Sequence, residues 1–227
     1  MIGIIGAMDV EIESLKNAIS DMREAQYYGL SFYMGQIHGV DVVLTRSGIG
    51  KVNSALAVSA LKLIFNCDAV INTGIAGGTE LTASEDVIIA KRCAYHDFDA
   101  QIFGYALGQV PGSPLFYEAD AELVSKAEGA LSSLSIPYKV GTVLSGDSFV
   151  TEKSVYEKMQ LSDALACEME GTSIAQAATK LGLPFIIIRY ISDIIGSEGQ
   201  ISDYNAYEQQ MAERSGKICI KILEFLK

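Results

Sequence analysis

Only two histidines, His38 and His96, occur in the chain, and its four cysteines, Cys67, Cys93, Cys167 and Cys219, are scattered with no C-x-x-C pair. Zinc sites draw on clustered Cys and His, so a metal has little to build on. A serine hydrolase would want G-x-S-x-G, which is absent. Chemistry here falls to carboxylates, and those worth weighing are Glu11, Glu168, Glu170 and Asp193. Asp193 is the hardest to dismiss. It follows an apolar run, Pro184 to Ile188, at what would be the carboxyl edge of a sheet, with Arg189 nearby to tune its ionisation. Glu11 falls in a first helical turn, where its plain use is to complement the helix dipole. Glu168 and Glu170 flank Met169, so in extended backbone they face opposite ways and one of the pair can simply be solvated. Phe149 and Phe103 lie in glycine-flanked loops, open either to core packing or to a planar ligand.

The glycine-rich turns invite a phosphate reading, which the spacing does not support. A P-loop needs G-x-x-x-x-G-K-[ST], but Gly50-Lys51 is followed by Val52 and the first glycine is missing. Gly48-Ile49-Gly50 lacks the third glycine of a dinucleotide fingerprint, with Asn53 in its place.

The elements that must position these residues alternate. Ile2 to Ile5 reads as a buried strand ending at Gly6, followed by a helix from 8 to about 20 with Ile12, Leu15 and Ile19 on one face. Strands Phe32 to Gln36 and Val40 to Thr45 precede the turn Ser47 to Gly50 and a helix striped by Val52, Ala55, Leu56, Ala60, Leu63 and Ile64. Ala69 to Asn72 is a strand running into a loop, Thr73 to Gly78, and Val87 to Ala90 is another strand. Residues 95 to 114 form a long irregular excursion, the kind of segment that is often functional. Helix Ala119 to Leu134, strand Tyr138 to Leu144, a short helix near 152–160, strand Ala164 to Cys167 and a helix to about 181 follow. Strand Pro184 to Ile188 closes with Ser192-Asp193. The last helix carries Tyr204, Tyr207, Met211, Ile218, Ile222 and Phe225 as a core-facing stripe. Such alternation indicates an α/β sheet covered on both faces. With no linker or repeat, one domain over residues 1–227 is expected. Ligands of open α/β sheets gather beyond the carboxyl ends of the strands, where Met8, the Thr73–Gly78 loop, Ser145 to Phe149, Glu168 to Glu170 and Ser192-Asp193 all fall.

The formal net charge is −11, and no Lys/Arg cluster offers the basic face that a nucleic-acid partner needs. No apolar run approaches the roughly 20 residues that span a bilayer, and the short apolar N-terminus lacks a signal h-region. A cytoplasmic protein with neither membrane nor nucleic-acid partner is expected. Each cysteine sits in or beside an apolar segment and reads as a buried reduced thiol.

Taken in order, several motifs resemble one family. They are Gly3 to Met8 with Glu11, Ser47 to Val52, Asn72-Thr73-Gly74 with Ala76-Gly77-Gly78, Tyr95-His96-Asp97, Phe103-Gly104-Tyr105, Ser145 to Phe149, Glu168-Met169-Glu170 and Ile191-Ser192-Asp193. Together they are similar to the 5′-methylthioadenosine/S-adenosylhomocysteine nucleosidases, over nearly the whole chain. The resemblance implies a nucleoside phosphorylase/hydrolase-like fold: single-domain, three-layer α/β/α, with a central mixed, twisted sheet. It implies hydrolysis of an N-glycosidic bond without metal or cofactor. Asp193 would protonate adenine N7 and Glu11 would deprotonate the attacking water. Glu170 would bind the ribose hydroxyls, Met169 and Met8 would lie against the sugar, and Gly74 and Ile75 would join the substrate contacts. Phe149 would stack on adenine while the Val150 backbone reads its edge, and Ser192 and Arg189 would position Asp193. In a homodimer, Phe103 and Pro111 would reach the partner's site.

The chain departs from the family's pattern at three places. Ile75 stands where serine is frequent, the phenylalanine expected directly after Ser202 is replaced by Asp203-Tyr204, and Ala100, Gln101 and Ile102 vary the excursion. Tyr204 or Tyr207 is the candidate replacement beside the 5′-substituent. Other readings of the same scaffold are a nucleosidase for another 5′-substituted, futalosine-type nucleoside, a purine nucleoside phosphorylase, and a silent nucleoside-binding protein.

Overall fold

The computed structural model describes residues 1–226. In chain order its elements are β1 (Ile2–Gly6), α1 (Asp9–Ala18), β2 (Ser20–Tyr27), β3 (Leu30–Ile37), β4 (Val40–Arg46), α2 (Lys51–Leu63), β5 (Ala69–Gly78), β6 (Val87–Tyr95), β7 (Tyr117–Glu118), α3 (Ala121–Ser133), β8 (Tyr138–Ser145), α4 (Ser154–Glu157), β9 (Ala164–Glu168), α5 (Gly171–Lys180), β10 (Phe185–Ile194) and α6 (Gln200–Glu224).

The strands form one mixed sheet in the order β10-β6-β8-β9-β5-β1-β4-β3-β2, with β7 on β6. β1 runs parallel to β4 and β5, whereas β3 is antiparallel to both of its neighbours, β2 and β4. β10 pairs with β6 on one side and with β5 on the other, so β5, β9, β8, β6 and β10 close into a ring. The expected mixed sheet is present; its partial closure is an addition. β5 makes this closure possible because it is longer than its apolar stretch. Thr73 to Gly78, expected to be a loop, continues the strand, pairing with Ile188 to Ile194 of β10 and, at Gly77 and Gly78, with β9. Partners on both sides supply hydrogen bonds that local glycine content alone would not suggest.

Helices cover both faces. Ile12 and Leu15 of α1, Leu123, Ala127 and Leu131 of α3 and Met211, Ile218 and Ile222 of α6 pack on one face against Ile4, Leu44, Ile71, Ile186 and Ile188. On the other face, Val58 and Leu61 of α2 and Ile174 and Ala178 of α5 meet Ile5, Val70, Ile88 and Ile187. Each large aliphatic side chain so buried contributes roughly 1.5–3 kcal/mol. A third, smaller cluster joins Ala94, Leu144, Ala164 and Cys167 with Val150, Tyr156 and Ile195.

Two strands escape the sequence pattern. β2 pairs only with β3 at the sheet's edge, and its residues are almost all exposed, so no buried period marks it. β7 is a two-residue bridge to β6. The segment 96–114 is irregular apart from one 3-10 turn at Gln101–Phe103, Tyr95 still belonging to β6. Among the described residues no helix is long and apolar enough to cross a membrane.

Candidate active site

The carboxyl ends of β1, β5, β9 and β10 surround a cavity. Ala7, Met8, Glu11, Ile75, Phe149, Val150, Met169, Glu170, Ser192 and Asp193 line it, joined by Ile49, Cys167, Glu168 and Tyr204. No Lys or Arg is among its lining residues.

Glu11 sits in the first turn of α1 and points back across it. One carboxylate oxygen accepts the backbone N–H of Ala7 at 2.6 Å and of Met8 at 3.0 Å; the other accepts Ile75 N–H from β5 at 3.1 Å. The dipole reading and the site reading are thus the same arrangement: a helix-start carboxylate that also bridges to the sheet. Burial pushes its pKa above the usual carboxylate range, and the Arg189 charge and the three N–H donors hold it back. Gly74 allows the approach, since a Cβ there would stand 2.4 Å from Glu11 Oε1.

Asp193 is 1% exposed. Ser192 Oγ donates to its Oδ1 at 2.6 Å, and Gln200 Nε2 donates to its Oδ2 at 2.9 Å. Burial raises its pKa; these two donors oppose the shift and Asp203 adds to it. The expectation that Arg189 positions Asp193 is corrected. Arg189 donates instead to Asn72 Oδ1, to the Ile188 carbonyl and to Glu168, its ion-pair partner at 2.5 Å. A β-bulge between Ile191 and Asp193 breaks the alternation that would have put both side chains on one face.

Nor is either glutamate of the Glu-Met-Glu segment left to solvent. Glu168 ends β9 and is buried, accepting Ser145 Oγ, the N–H groups of Glu170 and Gly171, and Arg189. It locks the strand end and the start of α5. Glu170 stands at the N-cap of α5, outside the strand, and faces the cavity. Burial, then the neighbouring Glu168, raise its pKa. Its Oε1 accepts Gly50 N–H at 2.7 Å, and Asp147 Oδ1 accepts Lys51 N–H at 2.8 Å. The donors a phosphate loop would offer are therefore engaged by the protein's own carboxylates.

The sequence model of the phosphorylase superfamily matches residues 1–224. A 5′-methylthioadenosine/S-adenosylhomocysteine nucleosidase of Staphylococcus carnosus is 42% identical over 229 residues, covering 100% of both chains. The chain belongs to this nucleosidase family. Among solved structures, the nucleosidase of Colwellia psychrerythraea in complex with adenine superposes with a TM-score of 0.94 at 37% identity, covering 100% of this chain and 95% of that one. The S. pneumoniae nucleosidase with the transition-state inhibitor MT-ImmA gives 0.93 at 38%, covering 100% and 99%.

Measured against the nucleosidase pattern, the remaining residues divide. Phe103 is 79% exposed and Pro111 is exposed; neither lines this cavity. Gly74 lies behind Glu11 rather than in the lining. Along α6 the expected stripe is fully buried at Met211, Ile218 and Ile222, and Tyr204 and Phe225 pack partly buried against the same core. Tyr204 also lines the cavity, its ring edge-on to Phe149 at 5.2 Å, while Tyr207 is 40% exposed and absent from the lining. Helical periodicity could not separate these, because α6 overhangs the cavity before it reaches the core. Sequence reasoning also missed Gln200, which no spacing rule connects to Asp193, and Asn72, whose side chain ties Arg189 to the Ile5 carbonyl. Among the described residues no group of three or more His, Cys, Asp or Glu is placed to hold a metal ion.

Proposed function

We propose that this protein hydrolyses the N-glycosidic bond of 5′-methylthioadenosine and S-adenosylhomocysteine, releasing adenine and the thioribose. The observation that carries this reading is that a buried carboxyl held by two donors, Asp193, and a second one held by three backbone N–H groups, Glu11, line the same cavity, which has no cation. As the C1′–N9 bond breaks, its electron pair moves to the base and the sugar becomes oxocarbenium-like. Asp193 gives its proton to N7, so adenine leaves neutral. Glu11 takes a proton from water as the oxygen bonds to C1′, and its negative charge stabilises the electron-poor sugar. Burial favours the protonated form of Asp193 and makes Glu11 the stronger base. Glu170 binds the ribose hydroxyls, Met8 and Met169 lie against the sugar, and Phe149 stacks on the purine beside the Val150 backbone.

Hydrolysis rather than phosphorolysis is supported by the same lining. A phosphate entering this cavity would meet carboxylates and no Lys or Arg, which repels a dianion. The protein works as a cytoplasmic homodimer in this reading, with Phe103 and Pro111 completing the partner's 5′-substituent pocket. The test is to incubate it with methylthioadenosine, with and without phosphate, and identify the sugar. Free methylthioribose formed at a phosphate-independent rate is expected. A sugar 1-phosphate would overturn the reaction, and binding without turnover would make the protein a sensor.

A further inference from the structure

Gln200, the first residue of α6, is 4% exposed and both ends of its side-chain amide are engaged. Its Oε1 accepts Gly196 N–H at 3.0 Å, and its Nε2 donates to the Val150 carbonyl at 2.8 Å and to Asp193 Oδ2 at 2.9 Å. The first two partners settle which end of the amide is which, because a backbone N–H only donates and a carbonyl only accepts. The amide cannot turn round without breaking both. Ser192 on the other side of Asp193 is different: its hydroxyl lies 2.6 Å from Oδ1 and 3.3 Å from the Ala76 carbonyl, so it can swing between them. Oδ2 therefore always faces a donor. The charge that develops as Asp193 gives up its proton is met by a dipole already in place, the arrangement that lowers a barrier most. The same amide fixes Val150, which lines the cavity.

We propose that Gln200 is a positioning residue for the reaction, holding Asp193 and the Val150 backbone in one hydrogen-bonded unit so that the acid and the segment facing the base keep a fixed relation. This rests on the reading of Asp193 as the proton donor. The ionisable groups around Asp193 are Asp203 and Tyr204 on α6, Glu11, Cys167, Glu168 and Glu170 around the cavity, and Glu85 behind Ser192.

Gln200→Met keeps the side-chain length and removes the donor, and Gln200→Glu serves as the second variant should the first not fold. With methylthioadenosine, kcat is expected to fall about 10–100-fold, the loss that goes with one hydrogen bond to a charged group. The descending, high-pH limb of kcat/KM moves to higher pH, because burial of Asp193 is then less opposed. The 4-nitrophenyl 5-methylthioriboside, whose leaving group needs no proton, is cleaved at close to the unsubstituted protein's rate. Equal losses on both substrates would reduce Gln200 to a packing role and overturn the proposal, as would an unmoved limb with full kcat. Asp193→Asn, run in parallel, separates the two claims. If that variant still turns over methylthioadenosine, the acid assignment itself falls; if it does not while Gln200→Met is normal, only Gln200 is reassigned.

Discussion

At the level of single residues, the site depends on carboxylates whose positions are over-determined by backbone. Glu11 is the clearest case, because the three N–H donors that hold it leave no room for a shift. Gly74→Ala tests this. The added Cβ would stand 2.4 Å from Oε1 and 2.9 Å from the carboxyl carbon, so Glu11 must leave its donors. A displacement of about 1 Å in a reacting group costs on the order of 100-fold, and kcat for methylthioadenosine should drop by about that much while the circular dichroism spectrum is kept. A variant with normal kcat would mean the carboxylate does not act from where it is held. Much of this was legible in the sequence: the acids, the aromatic at Phe149 and the small residues around them were all named by type and position. What was not legible is which acid pairs with which cation. Arg189 and Asp193 lie four residues apart and invite pairing, yet Arg189 neutralises Glu168, 21 residues away. The bulge that separates them leaves no mark in residue types.

At the level of elements, the cavity is held in shape by a clasp between loops that follow different strands. Lys51, at the start of α2, donates from Nζ to Asp97 after β6 at 2.6 Å and from its backbone N–H to Asp147 after β8 at 2.8 Å. Asp147 N–H in turn donates to Asp97 Oδ2 at 2.9 Å. The neighbouring Gly50 N–H reaches Glu170, so the clasp and the ribose-facing carboxylate share one turn. Asp97→Ala removes two of these ties. The groups are partly exposed, so the stability cost should stay within about 1 kcal/mol. The larger effect is expected in KM, which should rise by up to roughly tenfold with kcat nearly unchanged, read from steady-state rates. A kcat loss exceeding the KM rise would show that the loops take part in the chemical step. The glycine turn at Ser47 to Gly50 was visible in the sequence, and so was the reason to doubt it as a phosphate loop. The true partners of Gly50 and of the Lys51 that follows were not, since they come from 46, 96 and 120 residues along the chain. The same limit hid β2: local pattern reports burial, and an exposed edge strand has none to report.

For the whole molecule, the alternation of elements and the mixed sheet were legible, whereas the closing of five strands into a ring depends on a β5–β10 pairing that no periodicity encodes. The net charge of −11 carries little about the site, whose proposed ligand has no phosphate to attract or repel. Assembly is where the surface speaks instead. Val52 is 80% exposed on α2, and beside it Ala55, Tyr95, Phe98, Val110 and Ala177 line a mainly apolar depression, edged by Lys51 and Lys180, between α2, α5 and the excursion that carries Phe103. Contiguous apolar surface of this kind is what association covers, and a second copy of the chain is the partner proposed for it. Val52→Glu places a charge on that face without touching the cavity lining. Light scattering should show the unsubstituted protein as a dimer and the variant shifted to monomer, because taking a carboxylate out of water into a mainly apolar interface is costly. Phe103→Ala should leave the dimer intact and raise KM for methylthioadenosine, since the ring would be missing from the partner's pocket rather than from the interface itself. Loss of activity in Val52→Glu, despite an unaltered cavity, is the signature of a site completed in trans. A fully active monomer would remove both Phe103 and Pro111 from the site and leave the 5′-substituent to Tyr204 and Met8.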